Sequence, residues 1–185
     1  NIFTSFGWLK GMHPPGKVDD MQTFCQVNHH ANMAHAKSVI ALKEMWPDAK
    51  VGASFAYSPS YAIDNKPENA MAKADYDDLK NYFWMDVYAY GRYPRAALTY
   101  LQSQGITIKM EPEDQAILKE AAQLIDFMGV NYYQTTTVEF NDIDGVGTTH
   151  EMNNTGKKGT ATVQGVPGLY KNPPNANLPT TDWDW

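Results

Sequence analysis

The chain of 185 residues holds one cysteine, Cys25, so an internal disulfide is excluded and a reducing compartment is the expected setting. Long apolar runs are missing too. No stretch approaches the roughly 18 consecutive apolar residues that a membrane span needs, and the first residues carry no basic region or apolar core of an export signal. Basic charge is scarce. The 15 Lys and Arg against 21 Asp and Glu leave a formal charge of -6, and the basic residues are scattered singly. No basic stripe is available for a phosphate backbone, so neither nucleic acid nor membrane is an expected partner. At 43% hydrophobic residues, the chain can build one globular core of ordinary composition, which excludes a disordered or collagen-like polymer.

Several chemistries lack their motifs. There is no GxSxG elbow, no P-loop and no GxGxxG, so acyl hydrolysis, nucleotide hydrolysis and dinucleotide chemistry find no support. His29, His30 and His35 share one helical stretch. His30 and His35 are about 140° apart around a helix and His29 and His30 about 100°, so no two present the close i, i+4 face of a zinc motif. His35, between Ala34 and Ala36, is the one expected as a hydrogen-bonded core histidine. Asp142-Ile143-Asp144-Gly145 with Glu151 matches the later part of a calcium loop, but Phe140 stands where the first carboxylate belongs, so an Asp-Gly turn is expected instead. Cys25 has no base partner nearby and reads as packing. Asp75, Asp77, Asp78, Glu111, Glu113 and Asp114 fall on helix starts and are expected to face solvent. No cofactor or metal is called for.

The pattern of elements points to an α/β protein. Gly7, Gly11, Pro14, Pro15 and Gly16 make residues 1–16 an expected loop. Asp19 or Asp20 then caps a long helix that Pro47 ends near Trp46, with Phe24, Val27, Ala31, Ala34, Ser38 and Leu42 recurring at three- and four-residue spacing. Lys50 to Tyr57 reads as a buried strand followed by a polar loop. Asn65 to Asp86 reads as a helix in two pieces, with Ala70, Ala74, Leu79, Tyr82 and Phe83 as the expected buried side. After Gly91-Arg92-Tyr93-Pro94 another helix runs to Gln104, and Glu111 to Asp114 opens one ending near Gln123. Phe127 to Tyr133 is a second strand. Helix, strand, helices, strand is the order of a parallel α/β unit. From Thr135 on, a hairpin at Asp144-Gly145 and a long loop are expected over 135–182, the loop serving as a lid or rim.

What is present in abundance is an aromatic and amide set: Phe6, Trp8, Tyr57, Asn131, Tyr132, Tyr133, Trp183 and Trp185. Aromatic faces pack on the C-H surface of a pyranose while Asn and Tyr bond its hydroxyls, although the same residues also serve an ordinary core. Asn131 to Tyr133 closes a strand, and strand C-termini are where parallel α/β folds bind ligands.

Four stretches in one order carry a resemblance: Gly7-Trp8-Leu9-Lys10-Gly11-Met12-His13-Pro14-Pro15-Gly16, His29-His30-Ala31-Asn32-Met33-Ala34-His35-Ala36, Gly91-Arg92-Tyr93-Pro94, and Asp126-Phe127-Met128-Gly129-Val130-Asn131-Tyr132-Tyr133. The chain resembles the glycoside hydrolase family 1 β-glycosidases, and within them the 6-phospho-β-glucosidases, since Asp86-Val87-Tyr88 before Gly91-Arg92-Tyr93-Pro94 looks more like that branch than like the general β-glucosidases, which tend to have Asp-Pro there. The resemblance implies a partial TIM (β/α)8 barrel domain over 1–185, from after strand four through strands five and six to the approach to strand seven. It implies retaining hydrolysis of a small 6-phospho-β-glucoside by a cytoplasmic parent enzyme. The acid/base glutamate is then expected just before Asn1 and the nucleophile beyond Trp185, with no catalytic carboxylate inside the chain. Tyr133 is implied as the tyrosine that bonds the nucleophile, Asn131 as its polar neighbour, and His13 and Phe6 as borders of the cleft. An unphosphorylated β-glucosidase or β-galactosidase and a non-catalytic carbohydrate-binding scaffold are the alternatives. The start at Asn1 rather than Met and the aromatic finish at Trp185 fit a central fragment. Such a piece is expected to associate through bare strand edges, and a homo-oligomeric parent is the matching expectation.

Overall fold

The computed structural model describes residues 2–9, 11–18, 21–142, 164–166, 168–173 and 179. In chain order the elements are α1 (Ile2–Thr4) with a π-helical turn over Ser5–Leu9, α2 (Met21–Met45), β1 (Gly52–Ala56), β2 (Ser60–Ala62) and α3 (Pro67–Asp77). A second π-helical turn over Asp78–Tyr82 leads to α4 (Phe83–Tyr90), α5 (Arg95–Ser103), α6 (Asp114–Leu124), β3 (Phe127–Asn131), β4 (Thr136–Phe140), β5 (Gln164–Val166) and β6 (Tyr170–Asn172). The chain forms two compact units, Asn1–Ala56 with Tyr82–Asn131, and Tyr57–Asn81 with Tyr132–Trp185.

In the first unit β1 and β3 pair in parallel, from Gly52 opposite Phe127 to Ala56 opposite Asn131. Parallel neighbours need a crossover connection, which the intervening helical stretch supplies. Side chains alternate along each strand. Ala53 and Phe55 point toward α2, α4 and α6, where they line a cavity of about 200 Å³ with Ala36, Val87 and Leu118. Gly52, Ser54 and Ala56, with Phe127, Gly129 and Asn131 beside them, therefore form the opposite face. Tyr88 pins α4 to the strand starts: its hydroxyl accepts from Ala53 N and donates to Phe127 O, each at 2.7 Å.

The helix α2 begins after Asp19 and Asp20, which lie outside the described residues. Its buried side is Cys25, Asn28, His29, Met33, Ala36 and Val39, not the Phe24, Ala31, Ala34, Ser38 stripe. Small residues occur all round this helix, so apolar spacing alone does not settle its rotation, and polar Asn28 and His29 belong to the core side. That side packs on α6. The expected loop over residues 1–16 is another correction, because residues 2–9 are helical. Gly7 does not break the turn. It permits close approach, since a Cβ there would stand 2.8 Å from Pro14 O.

The second unit holds a four-stranded sheet in the order β2-β4-β6-β5, with β2 parallel to β4 and β6 antiparallel to both β4 and β5. Its core is Ala72, Tyr76, Val138 and Tyr170, flanked by Leu79, Phe140, Val166 and Leu169. The α3 helix thus turns Asn69, Ala72 and Tyr76 inward, whereas Ala70, Ala74 and Tyr82 are exposed. Asp77 is buried, contrary to the solvated helix start expected for it. Its carboxylate accepts from Ser60 Oγ at 2.7 Å, Lys73 Nζ at 2.8 Å and Asn81 Nδ2 at 2.9 Å. The polar loop expected after β1 contains β2, and the long loop expected over 135–182 contains β5 and β6. Strands of three residues are too short for a period of two to register in the sequence. The Asp144-Gly145 turn, and all of the calcium-loop match past Asp142, lie outside the described residues.

Candidate functional site

The parallel pair ends at Ala56 and Asn131, and the C-terminal ends of the strands are where α/β folds place ligands. Asn131 is exposed on the face opposite the helices. Its side chain is not loose, because Ser54 Oγ donates to Asn131 Oδ1 at 3.2 Å. Tyr133 follows two residues later, at the start of the second unit, and is 69% exposed. Sequence reasoning did not pick out Ser54. Its only signal is a small polar residue in an otherwise apolar strand, with Gly129 opposite it.

Phe6 and His13 form a second local group. Their rings meet edge to face at 5.1 Å, and Phe6 O accepts from Met12 N at 2.8 Å and His13 N at 3.1 Å. Trp8 stacks edge to face with Phe3 at 5.2 Å. Of the aromatic set, Phe6 and Trp8 thus sit in local ring pairs, Tyr132 and Tyr133 are exposed, and Trp183 and Trp185 lie outside the described residues.

The opposite, N-terminal end of the parallel pair is held by charge. Asp126 Oδ2 accepts from Lys43 Nζ at 2.8 Å and Val51 N at 2.9 Å, and Oδ1 accepts from Lys50 Nζ at 3.1 Å. The Lys43 hydrogen bond, then the Val51 amide and Lys50, hold the Asp126 carboxyl far below the usual carboxylate range. One carboxylate thus joins the end of α2, the entry to β1 and the start of β3, which fixes the register of the strand that carries Asn131.

Behind the strands lies a buried polar chain. Asn32 Nδ2 donates to Tyr93 Oη at 3.3 Å, Tyr93 Oη stands 3.1 Å from His29 Nδ1, and His29 Nε2 stands 3.0 Å from Asp114 Oδ2. A carboxylate only accepts, so Nε2 carries a proton and donates to Asp114; in the neutral ring Nδ1 then accepts from the tyrosine. His29, not His35, is therefore the hydrogen-bonded core histidine. His35 Nε2 has no partner in the structure, and burial lowers the pKa of its ring. Asp114 is also buried, against the solvated position expected.

Cys25 is 2% exposed, and burial pushes its thiol up to about 12, so it is held protonated and unreactive. Among the described residues no group of three or more His, Cys, Asp or Glu could hold a metal ion, and no helix is long and apolar enough to cross a membrane.

Comparison with known proteins bears on this geometry. The sequence profile described as glycosyl hydrolase family 1 matches residues 1–185. The aryl-phospho-beta-D-glucosidase BglC of Bacillus subtilis is 41% identical over the whole chain, which covers 38% of that relative. A 6-phospho-beta-galactosidase of Streptococcus pneumoniae is 31% identical over 96% of the chain and 38% of its own length. Among solved structures, a beta-glucosidase from Exiguobacterium marinum matches 83% of the chain and 36% of its own at 26% identity, with a TM-score of 0.67. The beta-glucosidase BglU from Micrococcus antarcticus shares the fold over 100% of the chain and 38% of its own, with a TM-score of 0.76 at 23% identity. The chain thus spans well under half the length of the relatives it matches.

Proposed function

The chain belongs to glycosyl hydrolase family 1, and on that premise we propose that it is the central part of a retaining β-glycosidase that hydrolyses 6-phospho-β-glucosides to glucose 6-phosphate and an aglycone or sugar. The observation that carries the substrate class is the 41% identity to an aryl-phospho-β-D-glucosidase along the entire chain, against 31% for a 6-phospho-β-galactosidase. In this reading residues 1–185 are one segment of a single (β/α)8 domain, and β1 and β3 are its fifth and sixth strands.

Retaining hydrolysis uses two carboxyl groups roughly 5 to 5.5 Å apart, one protonating the leaving oxygen and one attacking the anomeric carbon. The family resemblance puts both glutamates outside residues 1–185. The chain contributes the surroundings: the Tyr133 hydroxyl bonds the nucleophile and favours its ionised form, Asn131 bonds the sugar beside it, and Phe6 and His13 border the cleft. No cofactor takes part. The substrate is a small sugar phosphate, with no nucleic-acid or membrane partner. The cytoplasm is the site of action, where a single buried thiol stays reduced and where sugars phosphorylated on uptake are found.

The test is kcat/KM of the full-length protein on an aryl β-glucoside 6-phosphate, the matching galactoside 6-phosphate and the two unphosphorylated aryl glycosides. The phosphoglucoside is expected to be cleaved fastest. A preference for the galactoside phosphate moves the protein to the 6-phospho-β-galactosidases, and cleavage of plain glycosides alone refutes the phosphate reading. The 185-residue chain by itself is expected to be inactive, so turnover by it overturns the assignment of both glutamates to the rest of the protein.

A further inference from the structure

We propose that Ser54 is a positioning residue that sets which end of the Asn131 amide faces the sugar. The inference rests on reading Asn131 as a sugar-binding residue. In the parallel register Ser54 lies opposite Gly129, and Asn131 lies two residues farther along β3. Positions two apart share a strand face, so the Ser54 hydroxyl reaches diagonally over the glycine to Asn131 Oδ1, at 3.2 Å. The glycine keeps that path open. A Cβ at position 129 would stand 3.1 Å from Ser54 Oγ and 3.2 Å from Ser54 Cβ, tight enough to displace the serine.

The two ends of an asparagine amide are nearly equal in shape and opposite in hydrogen bonding: the oxygen accepts and the NH2 donates. With Oδ1 engaged by the serine, which lies back along the strands, the Nδ2 donors are left for the C-terminal end of β3. They then meet acceptors, such as the oxygen of a sugar hydroxyl or a carboxylate. An amide held in advance also loses less rotamer freedom when substrate binds. Ser54 is itself exposed, so removing its hydroxyl leaves no buried void.

The test uses the full-length enzyme and four variants: Ser54→Ala, Ser54→Thr, Asn131→Ala and the Ser54→Ala/Asn131→Ala pair. Ser54→Ala is expected to lower kcat/KM on the preferred glycoside by about five- to tenfold, the effect of one lost hydrogen bond, at an unchanged urea midpoint. Ser54→Thr, which keeps the hydroxyl, restores most of it. In the Asn131→Ala background, Ser54→Ala adds nothing, because the serine acts through the amide. Full activity of Ser54→Ala, or an equal loss in both backgrounds, overturns the proposal while leaving the enzyme assignment intact. A wild-type enzyme that cleaves no glycoside overturns the assignment itself, and this role with it.

Discussion

His29 on α2 and Asp114 at the start of α6 meet at 3.0 Å through Nε2 and Oδ2, with both residues buried. The pair ties the helix before β1 to the helix before β3, and Tyr93 and Asn32 extend it. Asp114 Oδ2 also accepts from Glu111 N at 2.7 Å, which closes the turn entering α6. Asp114→Ala strands a buried imidazole N–H and frees that turn. The expected loss is about 2 kcal/mol, the cost of leaving a buried donor unsatisfied, read as a lower urea midpoint at unchanged slope.

Asp126 governs an acid-dependent share of stability. Its folded pKa lies below the ordinary value of 3.8, first through Lys43 and then through the Val51 amide and Lys50. A depressed carboxyl stabilises the fold fully above its unfolded pKa and loses that contribution as pH falls through the folded one. Urea midpoints taken from about pH 5 down to pH 2 are therefore expected to fall more steeply in wild type than in Asp126→Asn. Equal slopes refute the clamp.

Gly91 and Gly105 separate backbone strain from collision. Both have positive φ, 64° and 74°. A Cβ at Gly91 would stand 2.5 Å from Lys119 Cα, whereas nothing lies within 4 Å at Gly105. Gly105→Ala is expected to cost only the left-handed penalty of about 1 to 2 kcal/mol. Gly91→Ala forces α4 and α6 apart as well, so its thermal midpoint is expected well below that of Gly105→Ala.

Cys25 is a reporter of opening. Its thiol is raised to about 12 by burial, so an aromatic disulfide reagent at pH 8 is expected to leave the folded protein unlabelled and to react fully in denaturing urea. Rapid labelling without urea shows instead that α2 opens locally.

The crossover organisation was legible because each long element announces itself locally. The proline after Trp46, the acidic run at Glu111 to Asp114, and the apolar runs around Phe55 and Val130 all mark real elements. The site was legible only in part. Asn131 stands out as an amide at a strand end, but Ser54 is a lone serine 77 residues away in sequence, and nothing local couples the two. The short strands β2, β5 and β6 escaped notice because each is held by its neighbours in the sheet and not by its own pattern.

By itself, the sequence determined the order of the long helices and of β1 and β3, the family motifs and the single thiol, since these depend on residues close together along the chain. Tertiary structure alone decided which side of α2 is buried and which histidine is bonded. Ala, Ser and His recur on every side of that helix, so only the packing of α6, and the carboxylate it brings to 3.0 Å from His29, breaks the tie. The same holds for Asn131. Its residue type comes from the sequence, but the direction of its amide comes from a hydroxyl on the neighbouring strand, because hydrogen bonding is decided by what lies beside a group in space.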